Sequence, residues 1–163
     1  MGTWGEGPFD NDAAGDLVAG MMKSINKVVE KDDRYSYEAA RACAQFVLAA
    51  HGTDILGGPG LAPLIRALAR IRMNREWVGG FRRPRKIASA LNRELEAVLE
   101  RTRTCKGCKK SIDKSERHAL ESLVATARSQ PVPKSARPKR RVARTTRATV
   151  SKLIRTKAPA SRR

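Results

Sequence analysis

Cys105 and Cys108 bracket Lys106 and Gly107, and two thiolates at this spacing can grip one metal ion from a tight turn. Gly107 lets the chain bend around such an ion. A structural zinc site takes four protein ligands. His118, ten residues past Cys108, is the local third candidate, and Cys43 is a fourth if its helix packs nearby. A pair from each of two chains can also complete a tetrahedron. One C-x-x-C without a second pair is only half a site. The other chemistry open to the pair is redox, because Lys106, Lys109 and Lys110 lower the pKa of nearby thiols. The strands that flank a thioredoxin-like motif are missing from the pattern, however. The plain alternative is two thiols with neither role. No cofactor is therefore expected, unless the pair takes zinc.

Charge is the second source of chemistry. The chain has 163 residues and a formal net charge of +18. Of its 34 basic residues, 13 lie in 128–163, and no acidic residue follows Glu121. The remainder sets 21 basic residues against 16 acidic ones, a net of only +5. The cations of the tail are Lys134, Arg137, Lys139, Arg140, Arg141, Arg144, Arg147, Lys152, Arg155, Lys157, Arg162 and Arg163, spaced by Ala, Thr and Ser. Prolines at 131, 133, 138 and 159 keep much of it extended. In composition it resembles the Lys/Ala/Pro tails of histone-like proteins. Such a segment follows a phosphate backbone by releasing counterions, with little sequence preference. DNA or RNA is the expected partner, helped by Arg66–Arg83 and Lys106–Lys114. A solvating appendage without a dedicated partner is the bland alternative.

Catalysis finds little support. Neither His51 nor His118 stands in a catalytic pattern, and His51 suits the C-terminal end of a helix. Gly57-Gly58-Pro59-Gly60 lacks the Lys and the preceding strand of a phosphate loop, and reads as a turn between helices. Glu94, Glu96 and Glu100 read as an exposed helix face, and Asp10, Asn11 and Asp12 as helix-capping residues rather than a cation site. A protein that is not an enzyme is expected.

The elements that must position these residues are helical. Leu17, Met21, Ile25 and Val28 recur at helical spacing from Asp12 to about Lys31. Ser36 can cap a second helix to about His51, with Ala39, Ala40, Cys43, Phe46, Val47 and Ala50 inward and Gly52 as its C-terminal cap. Leu61, Leu64, Ile65, Leu68 and Ile71 mark a third helix, with Arg66, Arg70 and Arg72 outward. Residues 73–83 read as a loop whose Trp77 and Phe81 close the core, base stacking beside Arg75, Arg82 and Arg83 being the alternative. Pro84 opens a fourth helix with a stripe of Ile87, Leu91, Leu95, Val98 and Leu99, ending near Arg101. A fifth, capped by Asp113 and Glu116, carries Ala119, Leu120, Leu123, Val124 and Ala127. From Ser129 the chain lacks a core face and disorder is expected, apart from a short helix around Thr146–Arg155 on binding. The expected fold is all-α: a compact bundle of four to five helices, with a basic tail. Three regions follow: a helical domain at 1–102, the Cys-x-x-Cys turn plus helix at 103–128, and the tail at 129–163.

The N-terminus reads as a plug. Trp4, Gly5, Gly7 and Phe9 make a tight segment pressing two rings into the core, and Asn11 and Asp12 cap the first helix. Together with Met1 and Gly2, these residues resemble the opening of a bacterial family of domains of unknown function, M-G-x-W-G-x-G-x-F-x-N-D. The likeness extends more loosely over residues 1–102 and implies a compact, mostly helical bacterial domain with no established activity. Small domains of that kind also suggest a second role, as an immunity-type or phage-defence-related protein partner. No run approaches the ~20 apolar residues that span a bilayer, no membrane partner is expected, and no secretory signal opens the chain. A cytoplasmic location with reduced thiols is expected.

Overall fold

The fold is organised around its most uniformly apolar segment. In the computed structural model, which describes residues 12–50, 56–105 and 111–135, the helix Gly57–Met73 is buried on almost every side. Leu61, Ala62, Leu64, Ile65, Ala67, Leu68, Ala69 and Ile71 are all buried, as an all-round apolar helix must be. Each of its fully buried Leu and Ile side chains contributes about 1.5–3 kcal/mol relative to exposure. In chain order the helices are α1 (Asp12–Lys31), α2 (Tyr37–Ala49), α3 (Gly57–Met73), a short α4 (Arg75–Gly79), α5 (Pro84–Thr104) and α6 (Lys114–Ser129), with one 3-10 turn at Arg34–Ser36. Helices α1, α2, α5 and α6 pack around α3. The described residues contain no strand, so the all-α bundle expected from the periodicity is the fold.

Local chemistry sets most of the boundaries. Pro84 occupies the first turn of α5, where its missing N–H costs nothing. Asp113 accepts from the Glu116 N–H at 2.7 Å and starts α6. Helix α1 ends in a left-handed residue, Asp32 (φ 52°). Its N–H reaches the Val28 carbonyl at 3.2 Å, and Asp33 N–H reaches that of Lys27 at 3.3 Å. Arg70 donates to the Val28 and Val29 carbonyls, and Arg101 to that of Ala50 at 2.7 Å, so two arginines satisfy the free ends of α1 and α2.

Several expectations are corrected. Gly57-Gly58-Pro59-Gly60 is the first turn of α3 rather than a connecting turn. Gly60 permits a close approach there, since a Cβ on it would stand 2.6 Å from Leu56 Cβ. Ser36 precedes α2 without capping it, and its hydroxyl donates instead to the Asp33 carboxylate at 2.7 Å. On α2, Phe46 and Ala39 face outward, while Tyr37 and Ala44 are buried with Ala40, Cys43 and Val47. Leu17 is 47% exposed and stands off the inner face of α1, which carries Ala14, Val18, Ile25 and Val28. Residues 73–83 hold the helix α4, which Asn74 caps by accepting from Trp77 N–H at 2.9 Å. Residues 1–11, with Trp4, Gly5, Gly7, Phe9 and Asn11, lie outside the described residues, as do His51 and Gly52; Asp12 opens α1.

Two charged residues expected in solvent are buried. Glu94 on α5 accepts from Arg41 of α2 in a two-pronged pair, Nη2 to Oε1 at 2.9 Å and Nε to Oε2 at 3.2 Å. Gln45 adds a third bond at 3.3 Å. Hydrogen bonding to Glu94 raises the Arg41 pKa despite burial. Arg72 is 2% exposed, and burial lowers its pKa. It donates to Asn92 Oδ1 at 3.0 Å and to the Gln130 carbonyl at 2.7 Å.

Candidate nucleic-acid interface

The Arg72–Gln130 bond fixes how the chain leaves the bundle. Beyond α6 it runs back across α4 and the start of α5 as a short strap, Gln130–Ser135. Pro133 packs 3.4 Å from where a Cβ on Gly79 would sit, and the Ser135 hydroxyl donates to the Phe81 carbonyl at 3.1 Å. Residues 129–135, which composition assigns to the tail, thus lie on the helical body.

The strap carries Lys134 to the first turn of α5. There it lines an open groove of about 450 Å³ with Arg83, Pro84, Arg85, Lys86, Pro133 and Ser135. Most of the lining is apolar; Pro84 is itself buried and Pro133 half-buried. The charged ends stand at the rim, since Arg83, Arg85, Lys86 and Lys134 are all exposed. Arg82 is exposed next to them, and Arg93 lies two turns along α5. No acidic residue occurs between Glu76 and Glu94.

Several arginines elsewhere on the surface are paired, although Lys23, Lys27, Lys31, Arg75 and Lys114 are exposed without an ion pair among the described residues. Arg34 meets Glu76 at 2.9 Å, Arg66 meets Glu116 at 2.7 Å, Arg103 meets Glu121 at 2.6 Å, and Arg128 meets Glu96 at 2.5 Å. Arg103 in turn holds the Glu121 carboxyl below its ordinary pKa. None of Arg82, Arg83, Arg85, Lys86, Arg93 and Lys134 makes an ion pair among the described residues. Like charges held together without carboxylates repel, and a polyanion relieves that repulsion.

The residues singled out by sequence fall on both sides of this picture. Lys134 is in the groove, whereas Arg137, Lys139, Arg140, Arg141, Arg144, Arg147, Lys152, Arg155, Lys157, Arg162 and Arg163 lie outside the described residues. Arg66, Arg70 and Arg72 are engaged within the bundle. Trp77 sits between Tyr37 and Phe81, edge to face, with ring centroids 5.4 and 4.7 Å away. Tyr37 is fully buried; its hydroxyl donates to Asp32 and accepts from Asn74 Nδ2 at 3.0 Å. Burial, reinforced by Asp32, pushes its pKa up to about 12. Trp77 and Phe81 therefore pack onto the core through Tyr37, as the sequence reading of those two rings expected.

Cys105 is buried at the C-terminal end of α5, His118 is exposed on α6, and Cys108 lies outside the described residues. Cys43 is buried in α2, and burial pushes its thiol pKa up. Among the described residues no three His, Cys, Asp or Glu side chains converge as metal ligands. No described helix is long and apolar enough to cross a membrane.

Sequence reading missed Arg83, Arg85 and Lys86 as one site with Lys134. The run Arg82-Arg83-Pro84-Arg85-Lys86 was the available signal. No protein-family model, curated protein or solved structure matches the chain.

Proposed function

We propose that this protein is a non-catalytic nucleic-acid-binding protein that holds the phosphate backbone of DNA or RNA. The observation that carries the reading is the groove beside Pro84, where four cations from two distant stretches meet without a carboxylate among the described residues. The chain continues from Ser135 into residues 136–163, which hold a further 11 Lys or Arg and no acid. The groove sets a fixed point of contact, and the tail extends the contact along the strand. Because phosphate contacts position rather than specify, affinity varies little with base sequence.

The test is fluorescence anisotropy with labelled DNA and RNA across a salt series. With six to ten phosphates neutralised, affinity falls by about 10³–10⁵ between about 50 and 200 mM salt. Deleting 136–163 removes most of that dependence and leaves a weaker, still salt-sensitive complex. Absence of binding at low salt, or binding indifferent to salt, refutes the reading.

A further inference from the structure

A site that only follows phosphates needs cations and nothing more, yet this groove also has a hydrocarbon floor. We propose that the groove is a single-strand site, holding one unpaired nucleotide with its base against Pro133 and its flanking phosphates on Arg83, Arg85, Lys86 and Lys134. The inference rests on the nucleic-acid reading above and adds a choice between strand states.

Three features support it. The first is size: about 450 Å³ lies within the about 300–1,000 Å³ of pockets that take small ligands. One nucleotide fits such a recess. A duplex keeps its bases in the stack and offers only outer phosphates, which leaves the floor against water. The second is the layout, with hydrocarbon below and cations at the rim. That matches the two halves of an exposed nucleotide, an apolar face and a charged backbone. The third is fixation. The strap that carries Pro133 and Lys134 is held by Arg72 to the Gln130 carbonyl at 2.7 Å and by Ser135 to the Phe81 carbonyl at 3.1 Å. The two walls are thus set before a ligand arrives, which lowers the ordering cost of binding.

The experiment is a pair of anisotropy titrations on the full chain at one salt concentration. One uses a labelled strand of about 15 nucleotides without self-pairing, a length within single-strand site sizes. The other uses the same strand annealed to its complement. The unpaired strand binds at least about fivefold tighter, the equivalent of about 1 kcal/mol. Pro133→Ser, which keeps every cation, reduces that preference below about twofold while duplex affinity holds. Lys134→Glu, an exposed change that leaves the bundle intact, weakens single-strand binding by about tenfold or more. Equal affinity for the two forms overturns the single-strand assignment and leaves nucleic-acid binding standing. An undiminished preference in Pro133→Ser overturns the role of the floor. Failure to bind either form overturns both this inference and the reading beneath it.

Discussion

Replacing Arg41 by Met while Glu94 stays in place leaves a carboxylate, only 10% exposed, with Gln45 as its remaining hydrogen-bond donor. The wild-type pair makes two charge-assisted bonds, at 2.9 and 3.2 Å. Such bonds are worth about 1.5–3 kcal/mol each, so the attraction is about 3–6 kcal/mol before desolvation is counted. Desolvating two ions offsets most of it, and the net worth of the pair against an apolar substitute is near zero. The consequence is an asymmetry. Arg41→Met alone costs about 3–5 kcal/mol, Glu94→Leu alone costs a similar amount, and the double variant lies within about 1 kcal/mol of wild type. The assay is urea unfolding at neutral pH, read as midpoints at constant m. With those costs the coupling energy is about 5 kcal/mol or more. If each single change costs less than about 1 kcal/mol and the two add, the pair behaves as a surface ion pair, and the placement of Glu94 between α2 and α5 is wrong.

Two further predictions concern the scaffold. Gly60→Ala ordinarily gains about 1 kcal/mol inside a helix. Here the new Cβ meets Leu56 Cβ at 2.6 Å and Met22 Sδ at 3.3 Å, and the strain reverses the sign to a net loss of about 1–3 kcal/mol. Thermal melts of the two proteins check this, and a raised midpoint contradicts it. Tyr37 titrates at about 12 when folded against about 10 when unfolded. The folded state holds the proton more tightly, so its contribution is complete below about pH 10 and is lost as pH rises through about 12, amounting to at most about 3 kcal/mol. Urea midpoints between about pH 9 and 12 fall more steeply for wild type than for Tyr37→Phe. Parallel profiles contradict the assignment.

What the sequence displayed was what short-range chemistry controls. Pro84 and the Asp113–Glu116 cap marked helix starts because each acts within one turn. The apolar spacing from Leu61 to Ile71 marked a helix, but not its burial on almost every side, because its arginines pointed to an exposed face. Arg72 and Glu94 were misread as surface because their partners are far away in sequence. Arg72 meets Asn92 and Gln130, 20 and 58 positions off, and Glu94 meets Arg41 across 53. Periodicity assigns a charged residue to solvent by default and cannot see a partner brought up by another helix. The groove was hidden for the same reason. Arg83, Arg85 and Lys86 were visible as a basic run and Lys134 as a tail cation, but only the strap over Gly79 joins them. Gly57-Gly58-Pro59-Gly60 misled in another way, since Gly and Pro mark both turns and the first turn of a helix.

The central claim is that the groove cations touch phosphate, and the salt dependence of binding tests it most directly. Wild type and the variant carrying Arg83→Ala, Arg85→Ala and Lys86→Ala are titrated with the same unpaired strand from about 50 to 200 mM salt. At about 0.7 per phosphate contact on a single strand, the slope of log K against log salt becomes shallower by about 2 in the variant. An unchanged slope, with the variant still folded, means that these side chains neutralise no phosphate and contradicts the account.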